Sequence, residues 1–222
     1  MLSGSDFRLL TSNFRGRTIV YVGRIVAVGK TDRPFVAYRV SSRSFPNRVA
    51  RITDVGVAIQ PLDPEDMRRN PYIAYNCLRV SSNGVVVSNG AHTDPIFEKL
   101  EAGIHPDAAI QQALTEMGYE RDDFNTPRIA GVVTESVGFI GTVRIDAVEV
   151  SSFELEENSC HFICTYELDR LESRSVPFVA ANADQAARYI VEGGVFKDLE
   201  HPVCAAAWMG SLAVYNPHEQ IR

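Results

Sequence analysis

The sequence predicts an α+β protein, and three observations carry that expectation. Short runs of β-branched and aromatic residues recur along most of the chain, helix signals fall in separate blocks near residues 94–117 and 182–192, and turn pairs such as Asn83-Gly84 and Asp63-Pro64 divide the strands. Strands and helices gathered in separate blocks indicate α+β layers rather than an alternating parallel sheet. One domain is the simplest organisation for 222 residues, a length that supports a sizeable core.

Residues 1–18 are polar and basic, with Arg8, Arg15 and Arg17, and read as an extension packed on the body or partly mobile. Residues 19–28 give a strong strand signal, interrupted by Gly23 and Arg24, and the turn at residues 29–34 pairs that strand with the next in a hairpin. The second strand starts at Phe35, and Arg39, Ser41 and Arg43 share a face while it stays extended, until Pro46 ends the regularity. Residues 55–59 read as a short buried strand. Residues 72–80 and 85–88 form the clearest hairpin, because Asn83-Gly84 readily takes the positive φ angles of a tight turn. On its first strand Tyr75, Cys77 and Arg79 are expected on one face, with Asn76 and Leu78 on the other. Asp94 as N-cap and Pro95 at the first helical position open a helix through about Ala102; a second runs from Pro106 to Met117 and stops at Gly118. Residues 129–134, 139–145, 147–151 and 161–167 read as strands. Asn182 caps a last helix over 184–192, and residues 201–208 form a small, apolar, close-packed segment.

Bulk properties exclude several classes. A net charge of −6 and a pI near 5.4 oppose broad binding to nucleic acid or anionic membrane, so any basic site is local. The first ten residues lack a long apolar stretch and no run reaches transmembrane length, which makes the cytoplasm the expected location. Four cysteines are too few for a disulfide scaffold at this length.

The most basic stretch, residues 35–48, carries Arg39, Arg43 and Arg48 with Ser41, Ser42, Ser44 and Asn47, between Arg33 and Arg51. Guanidinium forks and hydroxyls at the end of a strand suit a phosphorylated small molecule. A solvated loop whose arginines pair with surface acids fits the pattern equally. His92 lies between a strand and a helix N-terminus, beside Asn89-Gly90, where polar groups converge on ligands or merely turn the chain. Asn125, Thr126 and Arg128 put an amide, a hydroxyl and a guanidinium just before a strand, as a substrate-positioning loop or a plain turn does. Cys160 and Cys164 have no second ligand pair at a zinc spacing and read as core residues, so no metal is expected. Walker loop, dinucleotide fingerprint and nucleophile elbow are all missing from the sequence.

Residues 21–29, 35–48, 70–77 (Asn70-Pro71-Tyr72-Ile73-Ala74-Tyr75-Asn76-Cys77), 87–94 (through Ser88-Asn89-Gly90-Ala91-His92), 125–129, and Gly193-Gly194 with His201-Pro202-Val203 together resemble the archaeal-type inosine monophosphate (IMP) cyclohydrolase family. The resemblance covers roughly residues 21–208. It implies closure of 5-formamidoimidazole-4-carboxamide ribotide (FAICAR) to IMP with loss of water, no cofactor, and a homotetramer. It also implies a four-layer αββα sandwich like that of the N-terminal nucleophile (Ntn) hydrolases, used without their chemistry. In those hydrolases a Ser, Thr or Cys at the chain start attacks the substrate; here residues precede Tyr21 and none of those types stands at that point. Under the resemblance, Arg48, Tyr75, Asn76 and Glu135 are the expected catalytic residues, with Asp123 as a further proton carrier. Arg24, Arg39, Ser41, Arg43, Asn47, Asn89, His92, Thr126 and Arg128 are the expected substrate-binding set. Two rivals stand beside this reading: an Ntn-type amide hydrolase, and a non-catalytic purine-nucleotide-binding module. The expected partner is the small-molecule substrate, without nucleic acid or membrane.

Overall fold

A computed structural model describes residues 21–171 and 175–221, so the 1–18 extension lies outside the described residues. The strands are β1 (Ile25–Lys30), β2 (Pro34–Ser41), β3 (Arg48–Thr53), β4 (Gly56–Pro61), β5 (Tyr75–Ser81), β6 (Gly84–Ser88), β7 (Arg128–Val133), β8 (Val137–Val143), β9 (Val148–Glu154), β10 (Ser159–Cys164), β11 (Ser175–Pro177), β12 (Pro202–Trp208) and β13 (Leu212–Tyr215). The helices are α1 (Asp66–Arg69), α2 (Thr93–Glu101), α3 (Pro106–Met117) and α4 (Ala183–Glu192).

Two antiparallel sheets result. The first runs β11-β10-β1-β2-β12-β13 and the second β3-β4-β5-β6-β7-β8-β9. Strand alternation then divides the apolar residues among three cores. Phe35, Ala37, Ala205 and Ala207 face α4, packed with Ile190 and Phe196. Val36, Tyr38, Val40 and Ala206 face the second sheet, meeting Ile59, Tyr75, Val87 and Ile129. The other side of the second sheet, through Val86, Ala130 and Val132, is covered by Ile96 and Leu100 of α2 and Ile110 and Leu114 of α3. The layers therefore stack as α4, first sheet, second sheet, α2 with α3.

Local chemistry accounts for most element ends. The Asn182 side chain accepts from the Gln185 amide and starts α4, while Pro106 begins α3 and Gly118, at φ +63°, follows its last residue. The expected capping of α2 is corrected: the helix opens at Thr93 after His92, and Asp94 sits in its first turn, bound to Asn76 and Arg79. The expected first strand starts late, at Ile25. Gly23 has φ +69°, and a Cβ there would lie 2.1 Å from Thr165 Oγ1, so the chain before β1 departs from regular strand geometry, although the Val22, Gly23 and Arg24 carbonyls still accept from the Tyr166, Ser41 and Thr165 amides. The close-packed segment is β12, lodged between β2 and β13, where alanines on both faces let helix and second sheet approach. Cys160 and Cys164 lie in the core under α4. No helix among the described residues is long and apolar enough to cross a membrane.

The face assignment on β5 is also corrected. The β4–β5 register shifts between Val57 and Ala58, pairing Val57 with Leu78 and Ala58 with Asn76. That bulge turns both Cys77 and Leu78 into the core between the sheets, with Tyr75. Asn76 and Arg79 both reach Asp94 beneath α2.

Candidate active site

The antiparallel register brings the start of β1, the end of β2, the starts of β3, β5 and β7, and the end of β6 to one edge of the space between the sheets. Residues 118–127, between α3 and β7, form a loop closed on itself by the Glu120 amide, which donates to the Thr126 carbonyl at 2.8 Å, and tied to the same edge by the Glu120 carboxylate. Side chains from all of these segments converge there.

Glu120 is fully buried at the centre of the charged groups. Its Oε2 lies 3.6 Å from Arg24 Nη2 and its Oε1 3.5 Å from Arg128 Nη1. Gly90 makes the crowding possible: a Cβ there would lie 2.9 Å from Arg128 Nη1, 3.1 Å from Glu120 Oε1 and 3.3 Å from His92 Nδ1. Burial pushes the Glu120 carboxyl above the ordinary range, although Arg24 and Arg128 pull it back. Burial opposes the Arg24 charge, yet Glu120, Tyr75, Tyr38 and Tyr166 together hold its pKa above the usual value.

Beside these charges Tyr38, from the first sheet, and Tyr75, from the second, touch hydroxyl to hydroxyl at 2.7 Å. Their rings meet edge to face at 77°. Burial raises both phenols; for Tyr75 the nearby Arg48 and Arg24 charges and the Tyr38 hydrogen bond act in the opposite direction. Arg48, the first residue of β3, donates from Nε to the Phe45 carbonyl at 3.0 Å. Among the described residues seven buried side-chain polar atoms lack a hydrogen-bond partner. Five belong to this cluster: Arg24 Nε, Arg48 Nη1, Arg128 Nε, His92 Nδ1 and Glu120 Oε2. Buried polar groups are ordinarily paired, so such a concentration marks a place built for a polar ligand. Three guanidinium groups around one fully buried carboxylate leave the cluster net positive, which selects an anion.

The expected binding residues divide between this cluster and its supports. Arg24, Arg48, Tyr75, His92 and Arg128 are brought together. The Asn89 side chain pins β6 to β7, donating to the Pro127 carbonyl at 3.0 Å and accepting from the Ile129 amide at 2.8 Å. His92 Nε2 donates to the Ile129 carbonyl at 2.9 Å, which leaves Nδ1 as the acceptor facing Gly90 and Arg128. Burial and the Arg128 charge lower its pKa to about 3, so the ring is neutral. Thr126 bonds Asp122 at 2.6 Å and the Tyr166 hydroxyl at 2.8 Å, and Tyr166 in turn stacks on Tyr21.

Seven expected site residues lie elsewhere, each for a physical reason. Arg39 is one residue from Tyr38 and so faces α4. Its guanidinium donates to the carbonyls of Phe196 and Leu199 at 2.7 Å each and of Glu200 at 3.2 Å, and its Nε to Ser41 Oγ at 3.0 Å. Arg39 and Ser41 therefore hold the connection between α4 and β12. Arg43 lies past the end of β2, exposed, paired with Glu200 at 2.6 Å and over the Tyr21 ring. Asn76 is turned by the bulge to Asp94. Glu135 sits in the exposed β7–β8 turn, at the far end of β7 from Arg128; six residues of strand span about 20 Å. Asp123 is exposed, and the neighbouring Asp122 makes the contacts to Thr126. Asn47 is exposed beside Arg48.

Tyr38, Gly90 and Glu120 were not singled out by sequence. Tyr38 and Arg39 alternate on one strand, and nothing in composition says which is turned inward. Glu120 opens an acidic run that reads as solvated loop. Among the described residues no group of three His, Cys, Asp or Glu side chains is arranged to hold a metal ion.

Residues 21–212 match the family model described as IMP cyclohydrolase-like protein. The chain is 46% identical over 204 residues to a protein from Methanothrix thermoacetophila named IMP cyclohydrolase, covering 89% of this chain and all of that one. It is 44% identical over 204 residues to the IMP cyclohydrolase of Methanocella arvoryzae (89% and 98% covered) and 42% over 193 residues to that of Methanocaldococcus jannaschii (85% and 93% covered).

Proposed function

The chain belongs to the IMP cyclohydrolase-like family, and on that premise we propose that it closes FAICAR to IMP with loss of water at the edge where Arg24, Arg48, Arg128, Tyr38, Tyr75 and Glu120 meet. The observation that carries the site is the gathering of unpaired guanidinium N–H groups around one buried carboxylate, next to a buried tyrosine pair. The stacking of two antiparallel sheets between helices supports reading the fold as Ntn-hydrolase-like.

The chemistry needs little beyond positioning. The carboxamide nitrogen is a weak nucleophile, and the formyl carbon becomes tetrahedral as charge gathers on its oxygen. The net positive cluster holds the anionic ribotide, and the free Nη1 of Arg48 is a donor for the developing oxyanion. Tyr75 gives its proton to that oxygen as the C–N bond forms and takes one from the carboxamide nitrogen. The hydroxyl then leaves as water with the proton of the former formamide nitrogen, so product and water balance the substrate. Asn89 and His92 hold the β6–β7 edge in place rather than touching the reacting atoms.

An absorbance assay of FAICAR cyclisation tests this. Arg48→Ala is expected to abolish turnover while keeping the wild-type circular dichroism spectrum, and Glu135→Ala to cyclise at the wild-type rate. Normal cyclisation by Arg48→Ala would remove the assignment.

A further inference from the structure

We infer that Tyr38 is a positioning residue for the ring closure: its buried hydroxyl donates to Tyr75 and thereby leaves the Tyr75 proton directed at the reacting oxygen. The inference rests on the proposed ring closure and concerns the division of labour inside its tyrosine pair.

A single hydrogen bond joins the two hydroxyls, and at 2.7 Å either oxygen is a geometrically sound donor. Their surroundings separate the roles. Tyr38 is fully buried on a central strand, between Val26 of β1 and Ala206 of β12, and among the described residues Tyr75 is its hydroxyl's sole partner. Tyr75 is the first residue of β5, retains a little exposure, and faces Arg48 from β3 and Arg24 from the segment before β1. Cys77 of β5 and Cys204 of β12 lie near the pair as thiols that burial keeps protonated, and the Glu120 carboxylate stands behind Arg24, 3.6 Å from its Nη2. Both cations thus favour a negative charge on Tyr75, and the Tyr38 hydrogen bond favours it too. When Tyr75 donates to substrate, its oxygen becomes the acceptor for the Tyr38 hydroxyl, which has nowhere else to give its proton. The phenolate formed is stabilised from behind by Tyr38 and from the sides by Arg24 and Arg48, then takes a proton back from the carboxamide nitrogen, so the pair returns to its starting state.

A pair of tyrosines that merely satisfied each other's hydroxyls would show none of the following. We expect Tyr38→Phe to lower kcat by about tenfold with little change in KM. Its alkaline limb should move to higher pH, because the Tyr75 anion loses its donor. Tyr75→Phe should be slower still, by about 10²-fold or more, and the Tyr38→Phe/Tyr75→Phe double variant no slower than Tyr75→Phe alone, since Tyr38 acts only through Tyr75. An unmoved alkaline limb in Tyr38→Phe, or a double variant slowed by the product of the single effects, would overturn the inference. Wild-type turnover by Tyr75→Phe would overturn both the inference and the Tyr75 role beneath it. A slow Tyr75→Phe with an unaffected Tyr38→Phe would overturn the inference alone. Should Tyr38→Phe fail to fold for want of a partner to Tyr75, the double variant, which leaves no hydroxyl orphaned, is compared with Tyr75→Phe well below the Tm of both, and a slower double variant overturns the inference.

Discussion

Replacing Arg39 by Met separates a structural arginine from a substrate-binding one. Its guanidinium is fully buried, with no carboxylate at hydrogen-bond distance among the described residues, and burial lowers its pKa to about 10. The charge is tolerated because the carbonyls of Phe196, Leu199 and Glu200 surround it, two of them at 2.7 Å. Met keeps much of the apolar volume but orphans those acceptors, and each buried acceptor left unpaired costs about 1–3 kcal/mol. The two short bonds alone then cost about 2–6 kcal/mol, and the recovered cost of burying a charge offsets part of that. We expect a net loss of about 3 kcal/mol, a fall of about 6–12 °C in Tm for a domain of this size. Thermal unfolding followed by circular dichroism measures it, and steady-state cyclisation well below Tm supplies the second reading. kcat/KM should remain within about twofold of wild type. A Tm within 2 °C of wild type, or a large loss of kcat/KM at unchanged Tm, would refute the reasoning, and the second result would return Arg39 to the substrate.

Two further outcomes follow from the buried groups around β7. The His92 pKa, about 3 in the folded protein, is depressed below its ordinary value, so unfolding takes up a proton as pH falls below that value. Stability is therefore fully present above about pH 6.5 and is lost as pH falls toward 3. About 2 kcal/mol of the wild-type loss between pH 8 and pH 5 comes from this one ring. Urea midpoints at the two pH values should show a smaller loss in His92→Gln, and an equal loss in both proteins would contradict the assignment. Asn89→Ala removes two buried hydrogen bonds that tie β6 to β7 and should cost about 2 kcal/mol. The amide protons of Ile129 and Ala130 should then exchange faster relative to those of β2, and unchanged protection would rule out the tether.

Long strands, capped helices and the Asn83-Gly84 hairpin were legible in the sequence because their signals are local: alternation, a capping side chain, a turn dipeptide. What decided the site was not local. The basic loop pointed to Arg48, which the structure brings to the cluster, yet residue parity on β2 sends Arg39 toward α4 and Tyr38 toward the space between the sheets, and parity is set only when the sheet finds its two neighbours. On β5 one extra residue at the bulge inverts the faces beyond it, so Asn76 and Arg79 come to share Asp94 where strict alternation separates them. Arg48 itself begins β3, a strand that Arg43, Ser44, Pro46 and Asn47 before it disguised as continuing loop. Glu120 was hidden by its company: an acidic run looks solvated until two arginines from distant segments close on its first member.

Arg24, Tyr38, Arg48, Tyr75, Gly90, Glu120 and Arg128 are scattered over roughly half the polypeptide, and no two of them adjoin in sequence. A nascent or half-folded chain consequently offers a nucleotide nothing to grip. Ligand affinity and completion of the whole architecture become a single event, so product added during refolding acts as a latch on the finished molecule and never as a template for an early one.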